Sequence, residues 1–230
     1  MNTVRWWMVG ISVLVWGWMP VAQATVVNPS FESPEIPEDA PVESTPTGWT
    51  FFSPGFDTSG VIENAGIAQT GDQVLQFFAP GGGVDIGRQG YYQTLPLVLA
   101  AWQPIAWQVY LRNSSVLPMK PGVVAVLGIE FLRSDLTEIN RAELFVQPSQ
   151  LSTAQWLPFV VAGHPTNEPT AFVRFVIAQD KLSSTSDSGI FWAEDAAIIP
   201  EPGIFLLAVL GAGVVMWRRR TRSCPKQSLC

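Results

Sequence analysis

Carboxylates are the reactive groups this sequence holds in number: 18 of its 19 acids fall between Thr25 and Ile199, against 7 bases in the same stretch. Paired carboxylates cleave glycosidic bonds when they stand about 5 Å or roughly 7–9 Å apart across a cleft. With turn carbonyls they can also begin to supply the roughly six to eight hard oxygens of a calcium site. Other reactive groups are scarce. His164 is the single histidine and sits between Gly163 and Pro165, a turn sequence, so a multi-histidine zinc centre cannot form. Both cysteines, Cys224 and Cys230, lie at the far C-terminal end, which leaves the 25–199 stretch without a thiol nucleophile or a disulfide. No Gly-x-Ser-x-Gly elbow accompanies the histidine. Gly81-Gly82-Gly83 lacks the Gly-Lys-Ser/Thr that completes a phosphate cradle, and Asn113-Ser114-Ser115 reads as a polar turn.

Aromatic rings offer a second kind of chemistry, because a pyranose stacks its apolar face on a ring while neighbouring polar groups bond its hydroxyls. The tryptophans of this stretch are Trp49, Trp102, Trp107, Trp156 and Trp192. Trp49 and Trp192 fall within strand patterns and are expected in the core. Tyr91, Tyr92, Trp102 and Trp156 stand near strand ends and are the expected exposed platforms for a sugar, with core or rim packing the alternative for each. A net charge of about −11 over Thr25–Ile199 argues against nucleic acid or an anionic membrane surface as the partner of this region.

The elements that must position these groups are strands. No long segment carries the 3.6-residue apolar repeat of an amphipathic helix. Short runs rich in β-branched and aromatic residues recur at Val26-Val27, Gly48–Phe52, Val61-Ile62, Gln73–Phe78, Tyr91–Leu95, Ile105–Leu111, Val123–Leu132, Glu143–Val146, Trp156–Val161, Ala171–Ala178 and Gly189–Ile199. Several alternate as half-buried strands do, such as Val173, Phe175 and Ile177 against Phe172, Arg174 and Val176. About ten strands at this spacing predict an all-β, two-sheet sandwich as one domain over 25–199. Residues 33–46, with four prolines and four acids, read as a solvated loop.

The opening Val27-Asn28-Pro29-Ser30-Phe31-Glu32, the pair Gly48-Trp49, the turn Ala68–Leu75 and the closing Ile190–Ile198 together resemble the jelly-roll domains of the galactose-binding-like group, which includes many carbohydrate-binding modules. That group usually has paired aspartates in the last strand; here the first of the pair is Glu194. The resemblance implies a structural calcium held by Glu32 and Asp195 with backbone oxygens around Thr70–Asp72, the alternative being that both acids cap loop amides or face solvent. No other cofactor is expected.

Both ends of the chain read as addresses. Residues 1–24 have a positive start at Arg5, an apolar run from Trp6 to Met19 and the small-x-small triplet Ala22-Gln23-Ala24, the pattern of a signal peptide cut after Ala24 by signal peptidase. At the other end Pro200-Glu201-Pro202-Gly203 precedes an apolar run from Ile204 to Trp217 and the cluster Arg218-Arg219-Arg220. As a helix that run would rise about 21 Å, a short membrane span, and the arginines beyond it predict a cytoplasmic C-terminus. The two prolines fix φ and remove donors, so the tripeptide stays extended beside the membrane.

This ending resembles the PEP-CTERM sorting signal. The resemblance implies an exosortase, a membrane transpeptidase, that cuts at or near the tripeptide. The tail 223–230 would remain in the cytoplasm of a bacterium. The expectation is an exported, non-enzymatic surface or matrix protein, briefly anchored in the inner membrane, whose sandwich binds exopolysaccharide in a biofilm. A ligand-free envelope protein or a glycoside hydrolase are the competing classes.

Overall fold

The computed structural model describes residues 25–36, 45–54, 59–80, 87–181 and 188–199. The expected signal helix over 1–24, the sorting helix and motif over 200–222 and the tail 223–230 lie outside them, as does Gly81-Gly82-Gly83. Among the described residues no helix is long and apolar enough to cross a membrane.

Alternation makes the strands. From Ile105, every second side chain through Asn113 is buried and those between are half-buried, a two-residue period that only an extended chain satisfies. The described strands are β1 (Thr50–Phe52), β2 (Ser59–Glu63), β3 (Gln73–Ala79), β4 (Arg88–Leu95), β5 (Ile105–Asn113), β6 (Val123–Leu132), β7 (Glu138–Val146), β8 (Leu157–Gly163), β9 (Phe172–Lys181) and β10 (Gly189–Ile199). They form two five-stranded sheets in the orders β1-β4-β9-β6-β7 and β2-β3-β10-β5-β8, with antiparallel neighbours throughout. From β3 to β10 the chain crosses between the two sheets at every connection except the β6–β7 hairpin, in jelly-roll order.

The core fills the space between the sheets. Phe77 and Phe191 stack with ring centres 4.6 Å apart, and Trp107 packs on Phe175 at 5.2 Å. Truncating any such buried ring to alanine removes about 3–5 kcal/mol.

The opening segment differs from its expectation. Val26-Val27 is not a strand, and Asn28 and Phe31 adopt positive φ of 50° and 63°, which bends the chain away from a ladder. The Gln93 carboxamide takes the place of a strand neighbour: its Oε1 accepts from the Val27 N–H at 2.7 Å and its Nε2 donates to the Val27 carbonyl at 3.0 Å. The strand expected at Glu143–Val146 begins earlier, at Glu138, because the Arg133–Thr137 turn closes a hairpin directly onto β6.

That hairpin carries a backbone cost. Leu136 sits at φ 65°, where a glycine is at ease and a side chain is not, and its side chain is half-exposed. Leu136→Gly is expected to raise domain stability by up to about 1 kcal/mol, measured by thermal or urea unfolding, since relief of the left-handed strain exceeds the added chain entropy.

Candidate functional site

The outer face of the sheet β1-β4-β9-β6-β7 is where chemistry gathers. Strands β4 and β7 are separated by β9 and β6, three spacings of about 4.8 Å in a flat sheet. Yet Arg88 of β4 reaches Glu143 of β7, with Nη1 2.5 Å from Oε1. The two side chains meet because the sheet curls, which makes this face concave. Its floor is apolar: Val124, Val126, Val176 and Ala178 are buried there, with Phe52 and Tyr92 packed against them.

Charged and aromatic side chains arch over that floor. Arg88 also binds Asp180 at 3.2 Å and lies 5.7 Å from the centre of the Phe145 ring. Arg174 stacks its guanidinium 4.4 Å above Tyr92 while donating to Thr94 Oγ1 at 3.1 Å and Glu130 Oε2 at 3.0 Å. Arg141 pairs with Glu138 and stands 3.9 Å from Glu130 and 3.6 Å from Glu143. Phe145 remains 42% exposed. Planar donors, carboxylate acceptors and the part-exposed Phe145 ring thus share one face, the combination that a sugar's hydroxyls and apolar face require.

Four aromatic residues were expected to be platforms, and the structure separates them. Tyr92 lies on the concave face. Tyr91 is corrected: it is 1% exposed, facing inward as every second residue of β4 does, and its hydroxyl donates to the Ser59 carbonyl at 2.7 Å. Trp156 is half-buried and its indole N–H donates at 2.9 Å to the Ile67 carbonyl, which Arg112 also binds at 3.2 Å. It fastens the 64–72 loop down rather than standing free. Trp102 is 62% exposed at the end of the sandwich, with its ring 5.0 Å from His164. Trp49 and Trp192 are buried, as their strand patterns predict.

Phe145, Arg88, Arg174, Glu130 and Glu143 escaped the sequence reading. The signal for Glu143 and Phe145 was available as the every-second-residue row Arg141, Glu143, Phe145, visible once β7 is drawn from Glu138 instead of Glu143.

The loop over the other sheet gathers Glu32, Glu194 and Asp195. Asp195 has φ 50° at a β-bulge, so Glu194 and Asp195 both reach Thr70 instead of pointing to opposite faces. Glu194 is fully buried and accepts the N–H of Gln69 at 2.5 Å and of Thr70 at 2.7 Å, while the Thr70 hydroxyl lies 3.0 Å from both acids. Glu32 accepts the N–H groups of Asp72 and Gln73 at 3.2 and 3.1 Å. Between them Gly71 adopts φ 67°, and a Cβ there would run into the Glu32 carboxylate. These bonds are the loop-amide caps given above as the alternative to a calcium site. The turn aims N–H groups at the carboxylates, and among the described residues no group of three or more His, Cys, Asp or Glu side chains is placed to hold a metal. Burial pushes the Glu194 carboxyl above its ordinary value, against the pull of the Gln69 and Thr70 donors.

No family model matches the chain, and no curated protein matches it in sequence. Solved structures do match in shape. A cyclase from Fischerella sp. TAU, bound to 4-(1H-indol-3-yl)butan-2-one, is 18% identical with a TM-score of 0.56, covering 78% of this chain and 98% of its own. An arabinose-bound α-L-arabinofuranosidase is 13% identical with a TM-score of 0.52 over 80% of this chain and 27% of its own. The enzymatically active domain of tailspike protein 4 from bacteriophage CBA120 is 9% identical with a TM-score of 0.51, over 75% of this chain. The chain spans only 21% of the length of that domain's chain. The likeness is one of fold alone.

Proposed function

We propose that this chain is an exported, non-enzymatic bacterial surface or matrix protein whose sandwich binds exopolysaccharide in the concave groove of the sheet β1-β4-β9-β6-β7. The observation that supports it is the groove itself: Tyr92 and the half-open Phe145 ring beside Arg88, Arg141, Arg174, Glu130 and Glu143. Neutral polysaccharide suits it better than a polyanion, because each of these arginines already has a carboxylate partner. Retention of the protein in a gel cast with the producing cells' exopolysaccharide, and loss of that retention in Phe145→Ala, tests this reading.

The same proposal includes the route. Signal peptidase removes 1–24, the 204–217 run holds the protein in the inner membrane, and an exosortase-like transpeptidase cuts at Pro200-Glu201-Pro202. Intact mass of the protein recovered from the cell surface or medium is the measurement. It is expected to begin at Thr25 and to lack 204–230. A recovered mass that includes Arg218–Arg220 overturns the route.

One observation favours a second reading, a structural protein without a ligand. Val124, Val126 and Ala178 are almost wholly buried though they face outward, so the groove's floor is already covered.

A further inference from the structure

β10 ends at Ile199, which pairs with Ala106 of β5, and Ile105 pairs with Gly163 of β8. The β4–β5 loop, the β6–β7 hairpin and the β8–β9 loop therefore all stand at the end of the sandwich where the chain leaves it. Two of these connections expose apolar side chains: in the β4–β5 loop Val98 is 72% exposed and Trp102 62%, and in the β6–β7 hairpin Leu136 is 50% exposed. Trp102 and Leu136 both hold φ 65°, so the backbone bears a cost that glycine would avoid in order to carry side chains that face water. Trp102 is nonetheless placed firmly: its N–H donates to the Pro165 carbonyl at 2.8 Å and its ring lies against His164. The charges of this end are largely paired, Arg133 with Glu168 at 2.5 Å and Arg141 with Glu138.

Only Pro200-Glu201-Pro202-Gly203 separates Ile199 from the apolar run 204–217. Four residues span at most about 14 Å. An intact tether thus holds this end, and no other, within reach of the lipid surface.

We propose that Val98, Trp102 and Leu136 form a seat on which the tethered sandwich rests in the headgroup region of a zwitterionic bilayer. The inference rests on reading 204–217 as a membrane tether. Indole rings favour this depth, where an apolar body meets a wet edge. Three shallow insertions would bind weakly on their own, but a short tether makes the contact intramolecular and raises its effective concentration to the millimolar range. The seat fixes the tilt of the domain, and so presents the Pro-Glu-Pro segment at the membrane face in one orientation until it is cut.

The test uses the full chain with Cys224→Ser and Cys230→Ser, reconstituted in phosphatidylcholine vesicles and spin-labelled through Val98→Cys. A second preparation is labelled through Val116→Cys, which is 90% exposed in the β5–β6 loop at the opposite end. The expected result is that the label at position 98 loses most of its accessibility to a water-soluble nickel relaxant and gains accessibility to oxygen, whereas that at 116 stays open to nickel. Adding Trp102→Ala should restore much of the nickel accessibility at 98. Equal nickel accessibility at the two positions, in protein that floats with the vesicles, overturns the seat and leaves the tether standing. Protein that fails to float overturns the tether and the seat with it. Shielding at 98 that needs added exopolysaccharide instead of lipid also overturns the seat, and gives Trp102 to a glycan.

Discussion

Glu194→Ala is expected to release the 64–72 loop from the sheet beneath it and to lower the melting temperature by roughly 6–12 °C. The buried carboxylate accepts two backbone N–H groups, of Gln69 and Thr70, and shares the Thr70 hydroxyl with Asp195. Gln69 and Thr70 are themselves exposed, but donors shielded under the loop cost about 1–3 kcal/mol each when their acceptor is removed. The loop can escape part of that by opening to water, so a total near 3 kcal/mol is the expected size, and a domain of this length loses about 2–4 °C per kcal/mol. Amide exchange should quicken most at Gln69 and Thr70. It should also quicken at Ile67, whose carbonyl is held by Trp156 and Arg112 on the same flap.

Glu194 also has a pH signature. Its carboxyl is raised by burial, with the nearby Asp195 charge adding to the rise. The folded protein therefore holds this proton more tightly than the unfolded chain. Its contribution to stability falls as the pH climbs from the ordinary carboxylate range through the raised value, and is level above it. Glu194→Gln removes that slope while keeping one acceptor, so it should melt between the parent and Glu194→Ala at neutral pH. Melting curves from pH 4 upward that are parallel for parent and Glu194→Gln would show that the carboxyl is not held up by burial.

β5 was legible because its burial alternates from Ile105 to Asn113, and β6 and β9 because their long runs of β-branched and apolar residues are buried on both faces. The opening segment was less so, because a side-chain amide from Gln93, 66 positions away, does the work of a strand partner. Which face a tyrosine takes depends on register, and a shift of one residue exchanges Tyr91 for Tyr92. Trp156 looked like an open ring because its partner, the Ile67 carbonyl, is backbone and leaves no mark in residue type. The concave groove is a further step removed. Arg88 and Glu143 are 55 positions apart, and only the curl of the sheet joins them.

Phe145→Ala is expected to weaken binding to exopolysaccharide by roughly ten- to a hundredfold, the loss of about 1.4–3 kcal/mol that a central stacking ring supplies. The ring is half-exposed on the edge strand β7, so domain stability should change little. Trp102→Ala should leave binding intact, because Trp102 stands at the end of the sandwich and not on the groove. If instead Trp102→Ala abolishes retention while Phe145→Ala keeps it, the glycan site lies at the loops and the groove reading fails.

Arg88→Met then separates a groove that reads sugar from a face that is merely closed. Methionine keeps apolar cover over the floor but cannot bond Glu143 or Asp180. Where Arg88 reads hydroxyls, binding drops as it does in Phe145→Ala, because a planar multi-donor group has been lost. Where Arg88 only shuts the face, glycan retention is absent from the start and the substitution loosens the ion-pair ladder. The measured change is then a lower melting temperature with no change in retention.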